Sequence, residues 1–455
     1  MIQKITKEME TKLFFLFFFF FFFFSIFISC SLGALGEGRT PANPKGNIFN
    51  VRKFGARGNG RTDDSKAFMK AWKVACASSG AVKLEIPTGT YFVGPLRFNG
   101  PCINVSSLTV QMQASSRPSH NFSPKYFKSG SNGLGRASHP ARLIPQGTLT
   151  ATTDLNKFKS PHWVEFGWVD GLILTGGIFD GQGSVSWPFN KCPTQMDCKV
   201  LPTNILFVNT TNTIATGITS INSKFFHIGI LSCTNFKGTN FKIRAPENSP
   251  NTDGIHLERN SGVTLSHLTI GTGDDCVSIG QGNSDVTLSS IKCGPGHGIS
   301  VGSLGRYKGE GDVTGLLVKD CTITGTTNGL RIKTWQNSPS PSIATNLTFD
   351  NIIMNNVDKP IVIDQEYCPY AKCDSSAPSR VKISDIKFKN IRGTSMNPEA
   401  VTLLCSQRMP CKDVTLQDVS LRYVGGGGGA TAILNSTCQN VKPTFSGTQD
   451  PPPCQ

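Results

Sequence analysis

Charged side chains are scarce in this sequence, at 16% of 455 residues, with 30 acids against 45 lysines and arginines. That scarcity excludes a coiled coil and an acidic disordered chain. No long run of lysine or arginine occurs, which counts against a nucleic-acid-binding tail. Fifteen cysteines include no Cys-x-x-Cys pair, which counts against a zinc ribbon. Helical periodicity is almost missing. One stretch carries it, with Ala67, Phe68, Ala71, Trp72 and Ala75 at helical spacing behind Thr62-Asp63-Asp64. Acids at that point favour the start of a helix, so the Asp-Asp pair is read as its cap.

What remains is long, glycine-rich and basic. The length allows two or three ordinary domains or one long repetitive one. A formal charge of +15 suits a polyanionic partner: nucleic acid, a membrane surface or an acidic polysaccharide. At the N-terminus Lys4, Lys7 and Lys12 precede a run from Leu13 to Ile28 that is nearly all phenylalanine. Ser29, Ser31, Gly33, Ala34 and Gly36 then offer small residues for cleavage. This describes a secretory signal peptide over residues 1–36, removed to leave a single domain at 37–455 without stable membrane anchoring. The alternative is an uncleaved anchor, because the run approaches the ~18 residues of a membrane span. Losing Cys30 leaves fourteen cysteines, an even number, as a disulfide-bonded extracellular protein should have. Sequons at Asn104, Asn121, Asn209, Asn346 and Asn435 offer glycosylation sites in the same pathway.

Short phrases recur along the body of the chain, among them Gly262-Val263-Thr264-Leu265-Ser266, Asp285-Val286-Thr287-Leu288-Ser289 and Asp413-Val414-Thr415-Leu416. A second set of strands begins at His227, Gly254, Cys276, Gly298, Gly329 and Pro360, separated by 27, 22, 22, 31 and 31 residues. Units of that length, built of short β segments and glycine-rich turns, predict an all-β parallel solenoid with one short N-terminal capping helix. A β-sandwich would space its strands at about 8–12 residues. Residues 114–146 interrupt the pattern with Arg117, Lys125, Lys128, Arg136 and Arg142 and no acid, and are expected to be an ill-ordered insertion. The run Gly425 to Gly429 reads as a flexible turn, and the Pro-rich tail as pinned by Cys454.

Aligned by coil, the residue before each strand of the second set is Asp253, Asp275, His297, Asn328 and Lys359. Equivalent positions of neighbouring coils lie about 4.8 Å apart, so Asp253, Asp275 and His297 form a ladder. Alternation turns Ile255, Leu257, Val277, Ile279, Ile299 and Val301 inward. It turns His256, Ser278, Ser300, Arg331 and Lys333 outward. Parity alone would bury Asp253 with Ile255; a bend at Gly254 is assumed, since an unpaired buried carboxylate is costly. Carboxylates this close cannot all ionise freely, and one that keeps its proton can act as an acid while its neighbour acts as a base. Each feature also has a plainer reading: Asx turns for Asp253 and Asp275, a tight glycine turn at His297, a solvated face at Arg331 and Lys333. A Ca²⁺ site is the sharper rival. Against it, the loops lack acids two residues apart, and an imidazole with two cations would repel the metal.

Four segments carry a resemblance: Ser249-Pro250-Asn251-Thr252-Asp253-Gly254, Gly273-Asp274-Asp275-Cys276, Cys293 to Ser303 around Gly296-His297-Gly298, and Asn328-Gly329-Leu330-Arg331-Ile332-Lys333-Thr334-Trp335. In order and spacing they resemble the polygalacturonases of glycoside hydrolase family 28, particularly the plant ones, over roughly residues 46 to 454. The resemblance implies a right-handed, single-stranded parallel β-helix that hydrolyses α-1,4 links of polygalacturonate or pectin with inversion. With the N-terminal segment as the address, a monomer outside the cell or in the cell wall is expected. It implies Asp274 as proton donor, Asp253 and Asp275 as the pair activating water, and His297 as keeper of the donor's protonation state. Arg331 and Lys333 would bind a substrate carboxylate, Tyr367 would contact sugar, and no metal or other cofactor is implied. Cys276/Cys293, Cys405/Cys411 and Cys438/Cys454 resemble disulfide pairs. The pattern leans slightly to exo-acting members. A Ca²⁺-dependent eliminase like the pectate lyases, and a non-catalytic wall-binding solenoid, remain as alternatives. The 114–146 segment departs from the family pattern without touching the motifs.

Overall fold

Period-two alternation in short segments, repeated every 22 to 31 residues, is resolved in the fold by stacking each segment on its counterpart one coil earlier. The computed structural model describes residues 47–113, 147–195, 197–425 and 433–454. Residues 1–36, read above as a signal peptide, residues 114–146, read as an insertion, and most of the glycine run lie outside the described residues. All registered strand pairs are parallel, and they form one sheet of 21 strands and one of 11. The molecule is a right-handed parallel β-helix.

The 11-stranded sheet bears out the coil alignment. Ile228, Ile255, Val277, Ile299, Leu330 and Ile361 stand in register on successive rungs. They are fully buried, as are Leu257, Ile279, Val301, Ile332 and Ile363 two residues on. Each such side chain removes apolar surface worth roughly 1.5–3 kcal/mol. Larger rings stack in the same way, Phe166 on Phe207 at 5.5 Å and Phe349 on Phe388 at 5.1 Å between centroids. Where coils turn in the larger sheet, one register position has positive φ throughout: Asn240, His267, Ser290, Asp320, Asn351, Asn390 and Asp418. Asparagine and aspartate tolerate the left-handed region better than most residues, which explains their weight in that column.

The predicted helix is Ser65–Cys76, and it buries the five residues named from its periodicity. Trp72 packs on Phe98 at 5.0 Å and donates from Nε1 to the Asn99 carbonyl. The capping role expected of the acids needs correction. Asp64 occupies the cap position with helical dihedrals (φ −88°, ψ 0°) and makes no side-chain cap bond. A capping side chain normally reaches its amide from an extended backbone. Asp64 instead accepts from the amides of Arg57 and Gly58 at 2.8 and 3.0 Å, tying down the preceding loop. Asp63 accepts from the Ser65 amide.

Disulfides join Cys276 to Cys293, Cys405 to Cys411 and Cys438 to Cys454, the three pairs implied by resemblance. Cys76–Cys102, Cys192–Cys198 and Cys368–Cys373 are further bridges. The even count of cysteines does not translate into complete pairing, because Cys233 and Cys321 are buried as free thiols.

Candidate active site

The outer face of the 11-stranded sheet, together with the turns that lead into its strands, assembles all seven candidate residues. Asp253 and Asp275 end the turns before Ile255–Glu258 and Val277–Ile279, and His297 ends the turn before Ile299–Leu304. Close backbone contact shapes these turns. A Cβ at Gly273 would lie 2.1 Å from the Ser249 carbonyl oxygen, and one at Gly298, whose φ is +84°, would lie 2.1 Å from that of Asn328. Glycine alone fits both places. The bend assumed at Gly254 is present in effect. Ser278 Oγ donates to Asp253 Oδ2 at 2.7 Å and Ser300 Oγ to Asp275 Oδ1 at 2.7 Å, so both carboxylates join the outward row.

The three carboxylates have different partners. Asp275 is fully enclosed by donors: Lys333 Nζ at 2.7 Å on Oδ2, Arg331 Nη2 at 3.0 Å on Oδ1, and Ser300. Burial pushes its carboxyl up, but Lys333 and Arg331 outweigh that and hold its pKa at about 2. Asp253 is pushed well above the ordinary carboxylate range, by burial first and then by the charges of Asp274 and Asp275, with Ser278 and Lys333 opposing. Asp274, off the ladder, is partly open to solvent. Its Oδ1 accepts from the Asp275 amide at 2.8 Å and lies 2.9 Å from His297 Nδ1. Asn251 Nδ2 lies 3.5 Å from its Oδ2. Burial works against a charged His297, yet its bond to Asp274 and the charges of Asp274 and Asp275 prevail and raise its pKa.

The structure therefore brings together every predicted site residue, with one difference in emphasis. Arg331 and Lys333 were expected as free cations facing a ligand; both are engaged with Asp275, and Lys333 is buried to 6% exposure. Tyr367 closes the group at the end of Lys359–Tyr367, its ring centroid 5.9 Å from the Arg331 guanidinium and 5.3 Å from the Lys333 ammonium. Trp335 meets the same ring edge-on at 5.6 Å.

Sequence reasoning missed the roles of Ser278, Ser300 and Asn190. The serines share the outward register with Arg331, so parity carried a signal for them. Asn190 carried none: from about 60 residues upstream it donates to the Pro250 carbonyl at 3.2 Å and to Asn251 Oδ1 at 3.1 Å, bracing the first acid turn.

Asp274, Asp275 and His297 offer ligand atoms within 4.8 Å of one another, which is close enough to hold an ion. The donor chemistry does not suit one. Asp275 is neutralised by two cations, and the His297 nitrogen facing the acids is spent on Asp274. The arrangement suits proton transfer instead: an acid shared with an imidazole, a strongly ionised carboxylate and a third carboxylate made basic by burial.

Comparison with known proteins gives a consistent result. The sequence model described as Glycosyl hydrolases family 28 matches residues 76–448. An exopolygalacturonase of Platanus acerifolia is 45% identical over 407 residues, spanning 89% of this chain and 97% of that one. A polygalacturonase of Gossypium hirsutum is 42% identical over 405 residues, covering 89% of each. Among solved structures, an exopolygalacturonase from Thermotoga maritima superposes with a TM-score of 0.62 at 18% identity, over 86% of this chain and 94% of that one. At that identity the likeness concerns the fold alone.

Proposed function

This chain belongs to glycosyl hydrolase family 28, and from that premise we propose that it hydrolyses α-1,4-galacturonosidic bonds in polygalacturonate or pectin by inverting acid/base catalysis. The observation that carries the mechanism is the division among three adjacent carboxylates. Asp274, bonded to His297, is the proton donor to the leaving oxygen; His297 keeps a proton available to it. Asp253 and Asp275 hold the attacking water, and of the two Asp253 takes its proton. Asp275 at about 2 is too weak a base, whereas a carboxyl raised toward working pH is an effective one. Inversion needs acid and base about 6.5–9.5 Å apart to admit a water. Asp274 and Asp275 approach within 4.8 Å, short of that span. Arg331 and Lys333 keep unused N–H donors for a uronate carboxylate, and Tyr367 flanks the sugar beside them.

Activity then follows a bell-shaped pH profile. The acidic limb belongs to Asp253, above the ordinary carboxylate range, and the basic limb to His297, whose pKa is raised by its bond to Asp274. Exo action is the preferred mode, since several relatives bear that name. We place the enzyme outside the cell as a monomer; among the described residues no helix is long and apolar enough to cross a membrane. The test is reducing-sugar release from polygalacturonate with chelator present, comparing the parent with Asp274→Asn. Chelator-resistant activity lost in the variant, with monomer as first product, is expected. Chelator-sensitive activity, an unaffected variant or UV-absorbing unsaturated products would overturn the assignment, and anomeric NMR of the first product checks inversion.

A further inference from the structure

The strand that carries both cations ends in an aromatic group that the mechanism does not use. Arg331, Lys333 and Trp335 follow one another along Asn328–Trp335, and the Asn328 carbonyl packs against Gly298 in the His297 turn. Alternate positions of a strand are about 6.6 Å apart. The strand thus runs from the acid turns, past two cations, to Trp335. There the ring meets Tyr367 edge-on at 5.6 Å and Tyr370 at 5.9 Å between centroids. A third cation joins this group. The Arg306 guanidinium carbon lies 5.2 Å from the Trp335 ring and 5.2 Å from that of Tyr307. Arg306 is half-buried and Tyr307 is 40% exposed, so a ligand can reach them from solvent.

The loop that carries Arg306 is fixed at several points. Glu310 commits both carboxylate oxygens to it, accepting from the amides of Gly305 at 2.6 Å, Arg306 at 2.8 Å and Tyr307 at 2.7 Å. The Gly309 amide donates to Ser340 Oγ at 3.3 Å, and that of Gly311 to Gln281 Oε1 at 2.8 Å. On the far side of Trp335, the bridge Cys368–Cys373 closes the turn that holds Tyr370. Little order has to be gained when a ligand binds to such a group. A guanidinium stacked on aromatic rings keeps its charge, and its five N–H groups form a planar fork that matches a carboxylate.

We propose that Arg306, with Tyr307 and Trp335 beside it, is a second uronate site of this chain. It binds the carboxylate of the galacturonate that follows the one held by Arg331 and Lys333. The proposal rests on the hydrolase reading given above and adds a direction to it: the polymer leaves the acids over Trp335. An exo-acting enzyme cuts one sugar from an end, so the rest of the polymer extends one way only. A cation on that side retains it between cuts.

Initial rates of the full chain on purified di- and trigalacturonate test this. A dimer fills only the two positions flanking the bond that is cut, and a trimer adds the third. The parent is expected to favour the trimer in kcat/KM. Arg306→Gln is expected to lower that preference about tenfold, chiefly through KM, as loss of a charge-assisted hydrogen bond does. Arg306→Lys should keep part of it, having the charge without the planar fork. A parent with no preference for the trimer, or an Arg306→Gln loss in equal proportion on both substrates, overturns the site and leaves Arg306 as a brace of its loop. If Arg306→Gln fails to fold, the same change is made on the ligand, by methyl-esterifying the trimer at the sugar two removed from the one released. The parent is expected to lose its trimer preference on that substrate, and a preference that persists overturns the site. A parent inactive on polygalacturonate overturns the functional reading instead. Calorimetric binding of trigalacturonate then decides the site, with about tenfold weaker binding to Arg306→Gln expected and equal binding overturning it.

Discussion

Replacing Lys333 with methionine keeps the buried stem and deletes the ammonium that sits 2.7 Å from Asp275. The consequence can be worked from the site. Asp275 titrates at about 2 in the folded protein, against an ordinary 3.8. A depressed carboxylate contributes stability that is present above the unfolded value and lost as pH falls from about 4 through about 2. At 1.36 kcal/mol per unit, that contribution is about 2 kcal/mol. Lys333 is the strongest of the influences lowering Asp275, ahead of Arg331, while burial opposes both. Without Lys333 the Asp275 carboxyl rises from about 2 toward its ordinary value, and most of the contribution disappears. Stripping a buried charge of all its partners costs about 3–5 kcal/mol; because Arg331 and Ser300 remain, about 2–3 kcal/mol is expected at pH 6. Urea unfolding at pH 6 and pH 3 reads both effects. The parent should lose about 1 kcal/mol more than Lys333→Met between these two pH values, about half of the contribution, because Asp275 at about 2 is still largely ionised at pH 3 and every other carboxylate is common to the pair. The double variant Lys333→Met/Asp275→Asn, which removes the stranded charge, should recover most of the loss at pH 6. An equal acid loss in parent and Lys333→Met, or additive single effects in the double variant, would refute the reasoning.

Asp253 should behave in the opposite sense. Its folded pKa lies above its ordinary value, so ionising it weakens the fold as pH rises from about 4 through that raised pKa. Asp253→Asn is therefore expected to be more stable than the parent at pH 7 and to lose about 10²–10⁴-fold in kcat, a combination read by urea midpoints beside reducing-sugar assays. Removing the Cys276–Cys293 bridge by double serine substitution opens a loop of 17 residues and should cost about 3 kcal/mol; a change in urea midpoint of less than a third of that would show the coil to be held by its packing alone.

Much of this was legible in the chain because a solenoid writes its geometry in one dimension. The rung spacing of 27, 22, 22, 31 and 31 residues is the register observed, so Asp253, Asp275 and His297 could be placed on one ladder without coordinates. Parity likewise marked His256, Ser278, Ser300, Arg331 and Lys333 as outward. What parity cannot give is reach. It names a face, but a lysine and an arginine on that face span several ångströms, and whether they meet solvent or Asp275 depends on side-chain length and on the depth of the turn. Asn190 was illegible for another reason: its loop returns to the site from about 60 residues upstream, and no periodicity connects them. The acid pair at Asp63-Asp64 misled because composition marks a helix start without stating the dihedrals that decide whether a side chain can cap it.

Those same contacts separate catalysis from mere binding. A solenoid that only held a polyanion would gain from presenting Arg331 and Lys333 uncompensated, and each carboxylate beside them would weaken its grip. Here both cations are turned onto one aspartate, and two further carboxylates stand next to it. For binding this is waste. For acid/base chemistry it is useful, because identical residues on adjacent rungs receive opposite treatment: Asp275 gains two cations and stays ionised, while Asp253 gains a hydroxyl and a dry turn and holds its proton tightly. The ladder alone would have made the two equivalent. Their difference arises from the strands that follow: Ser278 beside one, and Ser300 with Arg331 and Lys333 beside the other. Exchanging that environment, by Ser278→Lys for example, should depress Asp253 and remove the basicity the reaction draws on, lowering activity at neutral pH while extending it toward acid. A profile that fell without moving toward acid would show that the lysine had disturbed the groove and left the carboxyl unchanged.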